Sequence, residues 1–383
     1  MKRIILLVSI ITALLIPVAV QGRGLKGKVI YVNAGHGGWT ANDRPLATIN
    51  YAAMDTLGFF ETKTNLWKAI ELKRRLERYG AKVVMSRTEN GYVTAGQKNA
   101  TQYDRVEHYG NDSVRQQLVD LERIAMQVDS LNPDYFISIH SNAAKDGSTV
   151  NYLLLLYRGE TGNDYAKGSI ERSKSAFDII WDNPLSVWTH SSPDNQYVAG
   201  DLTWMGGTPP GKPNSIGYTG YLSVLKHRVP SFLAEGSFHT YHPERHRLLN
   251  RDYCRMEGIR YFRAINAFFK GKKEKVGHIA GTLKDAVEKM HHELYKYDET
   301  RETVDGWVPL NYGTVYLVNS KGYAIRAYCI DDNFNGVFVF TDVKPGKYVL
   351  RYEARGYSTA EEPIEVKAGD IVYRNARLMP AEL

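Results

Sequence analysis

Cysteine is nearly absent: the 383 residues hold two, Cys254 and Cys329. So few exclude a small disulfide-stapled scaffold, and both are expected to be buried thiols in different domains. Long apolar runs are also scarce. One stands at the start, Ile4 to Val20, interrupted by Ser9, Thr12 and Pro17, after Met1-Lys2-Arg3 and before Gln21-Gly22-Arg23-Gly24. A charged start, an apolar core and a small-residue exit read as a signal peptide over residues 1–22; Pro17 and the run's shortness argue against a retained anchor. No cysteine follows the run, which argues against a lipid anchor, and nothing later approaches the length of a membrane span. The mature chain is expected to be exported, periplasmic or associated with the cell envelope. Nor is the chain poor in apolar residues: at 43% hydrophobic it lacks the signature of disorder and is long enough for two cores. Charge of one sign is not concentrated either. The net +7 is spread thinly over helix faces such as Lys73-Arg74-Arg75, which suits an acidic polymer or simple solubility, and no nucleic-acid partner is expected.

What is present alternates between strand and helix patterns. Val29 to Ala34 is a short apolar strand ending in Gly35-His36-Gly37-Gly38, a turn no helix would tolerate. Leu66, Ala69, Leu72, Leu76 and Tyr79 share one helical face, with Gly80 as the C-cap glycine. Lys82 to Ser86 reads as the next strand. An amphipathic helix over Val114 to Leu131 is closed by Pro133 and followed by strand Tyr135 to Ile139. Tyr152 to Tyr157 and Phe232 to Ala234 are further buried strands, with helices at about Glu171 to Trp181 and Arg251 to Phe269. This alternation predicts an α/β domain over residues 27–270, a mostly parallel sheet flanked by helices.

The stretch from Asp182 to Gly220 is rich in Pro, Gly, Ser and Asn, too long for an ordinary connection. Its Trp188, Tyr197, Trp204 and Tyr218 read either as stacking surfaces at a cleft rim or as the loop's own packing. The charged run from Lys270 to Lys275 is a linker. Beyond it, Thr314 to Asn319, Gly336 to Phe340, Tyr348 to Ala354 and Pro363 to Val366 are short alternating strands separated by turn signals such as Pro345-Gly346. They predict a small all-β sandwich over residues 276–383. Asp285 to Arg301 reads as a charged, helix-favouring insertion.

His36, His140 and Glu235 fall at or just past the ends of predicted strands, and Glu61 lies just ahead of a helix entering the same edge. In an open α/β sheet the carboxyl ends of the strands line the ligand crevice, so residues far apart in sequence converge there. Two imidazoles and one carboxylate are the ligand set of several catalytic zinc sites; a second carboxylate is then left to take a proton from water. Taken singly, each has a duller reading, as turn, cap, core histidine or ion-pair residue.

The neighbours of these residues carry a resemblance. Gly35-His36-Gly37-Gly38, Glu61 with Asn65-Leu66, Ser86-Arg87, Arg123 with Ala125, Phe136 to Ala143 and Leu233 to Phe238 occur in the order seen in zinc-dependent N-acetylmuramoyl-L-alanine amidases. The resemblance spans roughly residues 27–270, and Ser138-Ile139-His140-Ser141-Asn142-Ala143 is its most specific piece. It implies Zn2+ as cofactor, His36, Glu61 and His140 as ligands, and Glu235 as the catalytic carboxylate. The implied substrate is peptidoglycan, cut between N-acetylmuramic acid and L-alanine. The chain has Asn33-Ala34 where many members carry Asp-Pro, and its interval from His36 to Glu61 is longer, which makes Asp43 and Asp55 the alternative oxygen ligands. The second domain resembles the carboxypeptidase regulatory-like, transthyretin-type sandwich through Gly336 to Phe340, Val343 to Tyr348 and Arg355-Gly356-Tyr357, and either binds wall or a partner or packs on the enzyme. The rival readings are a zinc peptidase or deacetylase on another envelope substrate, and a wall-binding protein with a vestigial site. His190, His227, His239 and His242 are surplus to the site, with His239 best read as a core or surface residue, and His291-His292 as a solvated face.

Overall fold

The computed structural model describes residues 24–36, 46–49, 58–89, 113–190, 197–206 and 224–382. The expected signal peptide, Gly37-Gly38, Asp43, Asp55 and Tyr218 lie outside them. The first unit runs β1 (Val29–Ala34), α1 (Glu61–Arg78), β2 (Lys82–Met85), α2 (Ser113–Leu131), β3 (Tyr135–Asn142), β4 (Leu154–Tyr157), the short pair β5 (Gly159–Glu160) and β6 (Asn163–Asp164), α3 (Ser169–Trp181), β7 (Val198–Gly200), α4 (Asp201–Trp204), β8 (Ser231–Phe238), α5 (His242–Leu248) and α6 (Arg251–Phe268). Its six-stranded sheet has the order β2-β1-β3-β8-β4-β7. All neighbours are parallel except β4 and β8.

The central strands are apolar on both faces, as a sheet covered on both sides requires. Ile30, Val32, Phe136, Ile137, Phe232 and Leu233 are completely buried. α1 forms because Leu66, Ala69, Leu72 and Leu76 recur every three or four residues and sink into that core. Each fully buried leucine contributes about 1.5–3 kcal/mol relative to exposure. Gly80, at φ 94°, ends the helix in the left-handed conformation that glycine tolerates.

After a short linker come β9 (Gly277–Lys289), β10 (Trp307–Pro309), β11 (Thr314–Asn319), β12 (Ala324–Cys329), β13 (Val337–Val343), β14 (Gly346–Glu353), β15 (Ala360–Val366) and β16 (Ile371–Leu378). One sheet joins β10-β9-β13 with β16 on β9; the other is β12-β11-β14-β15. Side chains of both, including Ile279, Leu283, Phe338 and Phe340 against Leu317, Leu350 and Tyr352, fill one core, so this part is a β-sandwich. The β9/β16 pair is parallel.

Several expectations are corrected. Asp285 to Arg301 forms no helix. Residues 285–289 extend β9, because pairing with β10 and β16 outweighs local propensity and the Asp285 side chain accepts the Val287 and Glu288 amides. Cys254 is buried, but Cys329 ends β12, an edge strand, and is exposed. His140 and Glu235 lie within β3 and β8, which run longer than their apolar cores. In the long loop, Trp188 stacks on Trp181 at 5.0 Å and Tyr197 on Tyr152 at 4.3 Å, so these two rings pack the loop on its own domain.

No helix among the described residues is long and apolar enough to cross a membrane. The two units share a seam: Phe59, Leu248, Tyr253, Met256 and Ile259 of the first pack with Ala280, Val337 and Val339 of the second.

Candidate active site

The site forms at the carboxyl edge of the sheet, where three segments end together. His36 follows β1 in a left-handed conformation, φ 61°. That turn is held by Arg87, just past β2, whose guanidinium donates to the carbonyls of Ala34, Gly35, His36 and Thr62 at 2.8–3.0 Å. One buried cation thus gathers the carbonyls of the His36 turn and of the α1 start. Gly35 is needed for a separate reason: a Cβ there would overlap the His140 imidazole ring.

Glu61 is the first residue of α1, where the helix dipole favours a negative charge. Its Oε1 accepts the Ser141 amide at 2.8 Å and Asn65 Nδ2 at 3.0 Å. His36 Nε2 lies 2.9 Å from Oε2 and His140 Nδ1 3.3 Å from Oε1, with the two rings 5.1 Å apart. All three expected ligand residues therefore meet. They form a group whose potential ligand atoms lie within 4.8 Å of one another.

Burial alone would raise the Glu61 carboxyl, but the charge of His36 and hydrogen bonds from both histidines hold it well below the ordinary value. Burial lowers His140, so its ring is neutral near pH 7. An ionised carboxylate beside a neutral imidazole is the protonation state in which these groups ligate metals. His140 Nε2 is buried and has no hydrogen-bond partner among the described residues. Donor types and spacing thus fit a tetrahedral cation such as zinc.

Glu235 is buried and is the register partner of His140 on the adjacent parallel strand, which turns both side chains to one face. Burial, then the charge of Glu257 and its hydrogen bond, raise the Tyr261 hydroxyl, and the nearby Glu235 adds a smaller push in the same direction. Tyr261 donates to Glu257 Oε1 at 2.5 Å, and Glu257 Oε2 pairs with Lys68 Nζ at 2.9 Å. Although burial works against its charge, Lys68 is held protonated chiefly by Glu257. A Cβ on Gly236 would collide with the Glu257 carboxylate and come within 2.8 Å of the Tyr261 hydroxyl, so the glycine after Glu235 makes room for this network.

Sequence reasoning missed Lys68, Glu257 and Tyr261. The available signal was Lys68 itself, a cation four residues before Leu72 on the buried face of α1. His239 is a core residue, stacked on Phe59 at 5.2 Å with Nδ1 2.9 Å from Ser141 Oγ, and burial lowers it to about 4. His227 and His242 are buried away from the cluster.

Two histidines and two carboxylates at the carboxyl edge of an open α/β sheet are the donor types that hydrolytic metal sites use, at the edge where such sheets place their ligand crevice. The chain belongs to the N-acetylmuramoyl-L-alanine amidase family, whose model matches residues 30–267. Among solved structures, it is similar to the N-acetylmuramoyl-L-alanine amidase from Clostridium difficile 630, at 19% identity over 64% of this chain and 98% of that one, TM-score 0.42. The CwlD amidase from Clostridioides difficile, solved in complex with the GerS lipoprotein, matches at 19% identity over 63% and 98%, TM-score 0.43. Ami1 from Mycobacterium smegmatis matches at 14% over 64% and 98%, also with a TM-score of 0.43. Among curated proteins no sequence matches.

Proposed function

We propose that this chain is an exported, zinc-dependent amidase that hydrolyses the amide between the lactyl group of N-acetylmuramic acid and L-alanine in peptidoglycan. The observation that carries the reading is the meeting of His36, Glu61 and His140, with Glu235 in register beside His140, in a member of this family.

His36, Glu61 and His140 would hold the ion, which when bound supplies Lewis acidity for the carbonyl and for water. The chain's own residues do the rest. Ser141 and Asn65 fix the Glu61 carboxylate, and Arg87 fixes the His36 turn, so the ligands are set before substrate arrives. Glu235 takes a proton from the attacking water and returns it to the leaving nitrogen. Water is consumed, the C–N bond breaks, and a lactyl carboxylate and a free L-alanine amine remain. We read residues 276–383 as a carboxypeptidase regulatory-like sandwich that packs on the enzyme, a reading supported by the shared apolar seam.

The test pairs metal content with digestion of purified peptidoglycan. The mature wild type should carry about one zinc and release new L-alanine amino termini. His140→Ala should lose both, and Glu235→Gln should keep the metal and lose cleavage by at least a hundredfold. Released acetate, or a cut between two amino acids, would replace this reading with a deacetylase or a peptidase.

A further inference from the structure

One face of the β9/β16 pair is used for two purposes. Ala280, Thr282 and Lys284 alternate on β9 in register with Tyr373, Asn375 and Arg377 on β16. At one end, Ala280 and Tyr373 pack into the seam with the first unit, and Arg260 donates to the Tyr373 hydroxyl. At the other end the face is left open beneath residues 302–307, making a crevice of about 380 Å3. Its volume lies in the range of small-molecule sites. Trp307 forms one wall and is no stacking surface, because Lys289 Nζ and the Arg377 guanidinium already lie over its ring at 3.4 and 4.4 Å.

Lys284 lines this crevice and is only 2% exposed. Its Nζ has no hydrogen-bond partner and no ion pair among the described residues. The nearby acid, Asp305, is already engaged: it accepts from Arg247 Nη1 and, at 2.7 Å, from the Tyr241 hydroxyl. The Tyr295 ring, 6.0 Å from Nζ, is the remaining attraction. A buried ammonium without a partner is costly, whereas an apolar chain of the same length would fill the space without that cost. Burial lowers the ammonium to about 7, with Asp305 working against the shift and Arg247 with it, so a bound anion would restore the proton.

The other lining groups suit an anion of a particular kind. Thr282 Oγ1 donates to Asn375 Oδ1 at 2.9 Å, which leaves the Asn375 Nδ2 hydrogens for a ligand. Thr303 Oγ1 accepts the Asp305 amide, which leaves its own hydrogen to donate. A planar amide and a guanidinium match a planar carboxylate, and Glu302 in the lining disfavours a dianion.

We propose that the crevice between β9, β16 and residues 302–307 is a carboxylate-binding site, in which Lys284 supplies the charge and Asn375, Thr303 and Arg377 the further donors. It is separate from the His36, Glu61 and His140 cluster and does not rest on the amidase reading. The carboxylate comes either from a peptide end or from a free organic acid.

Isothermal titration of the full mature chain with N-acetyl-D-alanyl-D-alanine, acetate and inorganic phosphate tests this. Either carboxylate should bind the wild type, and Glu235→Gln should bind as well as wild type whatever its activity. Lys284→Met should weaken binding at least tenfold without lowering the thermal midpoint of the free protein, and Asn375→Ala, on an exposed position, should weaken it several-fold. Tighter binding of the dipeptide than of acetate identifies a peptide end, and equal binding a free acid. Failure of both carboxylates to bind, binding of phosphate alone, or undiminished binding in Asn375→Ala together with Lys284→Met overturns the assignment.

Discussion

Gly35 shows how little room the site leaves at the scale of single residues. The β1 backbone passes against the His140 ring so closely that one methyl group cannot be inserted. Gly35→Ala should therefore push the ring off its position and reduce metal affinity and peptidoglycan cleavage by at least tenfold, the range expected when a ligand loses its orientation. Circular dichroism should remain that of the wild type, because the overlap is with one side chain and the sheet pairing is untouched. A fully active Gly35→Ala would show that His140 is free to move without consequence. His36, Glu61 and His140 were readable because motif residues flank them. Lys68 and Glu257 were not, since α1 and α6 contribute them from nearly two hundred residues apart, and the Glu257–Tyr261 pair, four residues apart on α6, gains its place beside Glu235 only once the helices pack.

At the scale of elements, α1 couples the site to the rest of the molecule. Its first residue, Glu61, lies in the candidate metal cluster, while its last turns carry Arg75, buried between Glu71, Glu274 and Asp342 at 2.8–2.9 Å. Burial disfavours the charge of Arg75, but these carboxylates hold it well protonated. Glu71 keeps Arg74 and Arg255, Glu274 keeps Arg263 and Asp342 keeps Arg78. Removing the guanidinium therefore takes one buried partner from each acid without stranding it, and Arg75→Met should cost about 1–3 kcal/mol in urea unfolding. A loss below about 1 kcal/mol would mean that the acids find water instead. The apolar stripe of α1 was visible in the sequence as a helical period. Its charged residues looked like a solvated face, because whether Arg75 meets water or Asp342 depends on where the sandwich docks. The Asp285 to Arg301 segment failed as a helix for the same kind of reason: strand partners from β10 and β16 decide it.

For the whole molecule the seam sets how stability responds to acid. His246 is fully buried on α5, and its Nδ1 donates to the Asn333 carbonyl of the second unit at 2.8 Å. Burial lowers it to about 3 from 6.5. The unfolded chain thus binds a proton that the folded chain refuses. The stabilisation from the neutral ring is complete above pH 6.5 and is lost as pH falls from 6.5 towards 3, with about 2–3 kcal/mol gone at pH 4.5. His227, His239 and His242, each lowered to about 4 mainly by burial, act in the same direction. The denaturant midpoint should therefore drop steeply between pH 6.5 and 4.5. His246→Asn, which keeps a donor for Asn333, should flatten that slope by about one proton. An unchanged slope would place the linkage in the other histidines.

By itself the sequence determined the periodicities and the short motifs: an alternating α/β unit, a β-rich second part, and a set of histidines and acids at strand ends. These are legible because hydrophobic period, turn chemistry and strand-end position act over a few residues. The tertiary structure alone decided which surplus histidines are core, why Cys329 is exposed, that Lys68 pairs with Glu257 beside Glu235, and that the two units share an apolar seam with a partnerless lysine near its edge. Burial and electrostatic pairing decide these, and both are properties of where distant segments come to rest.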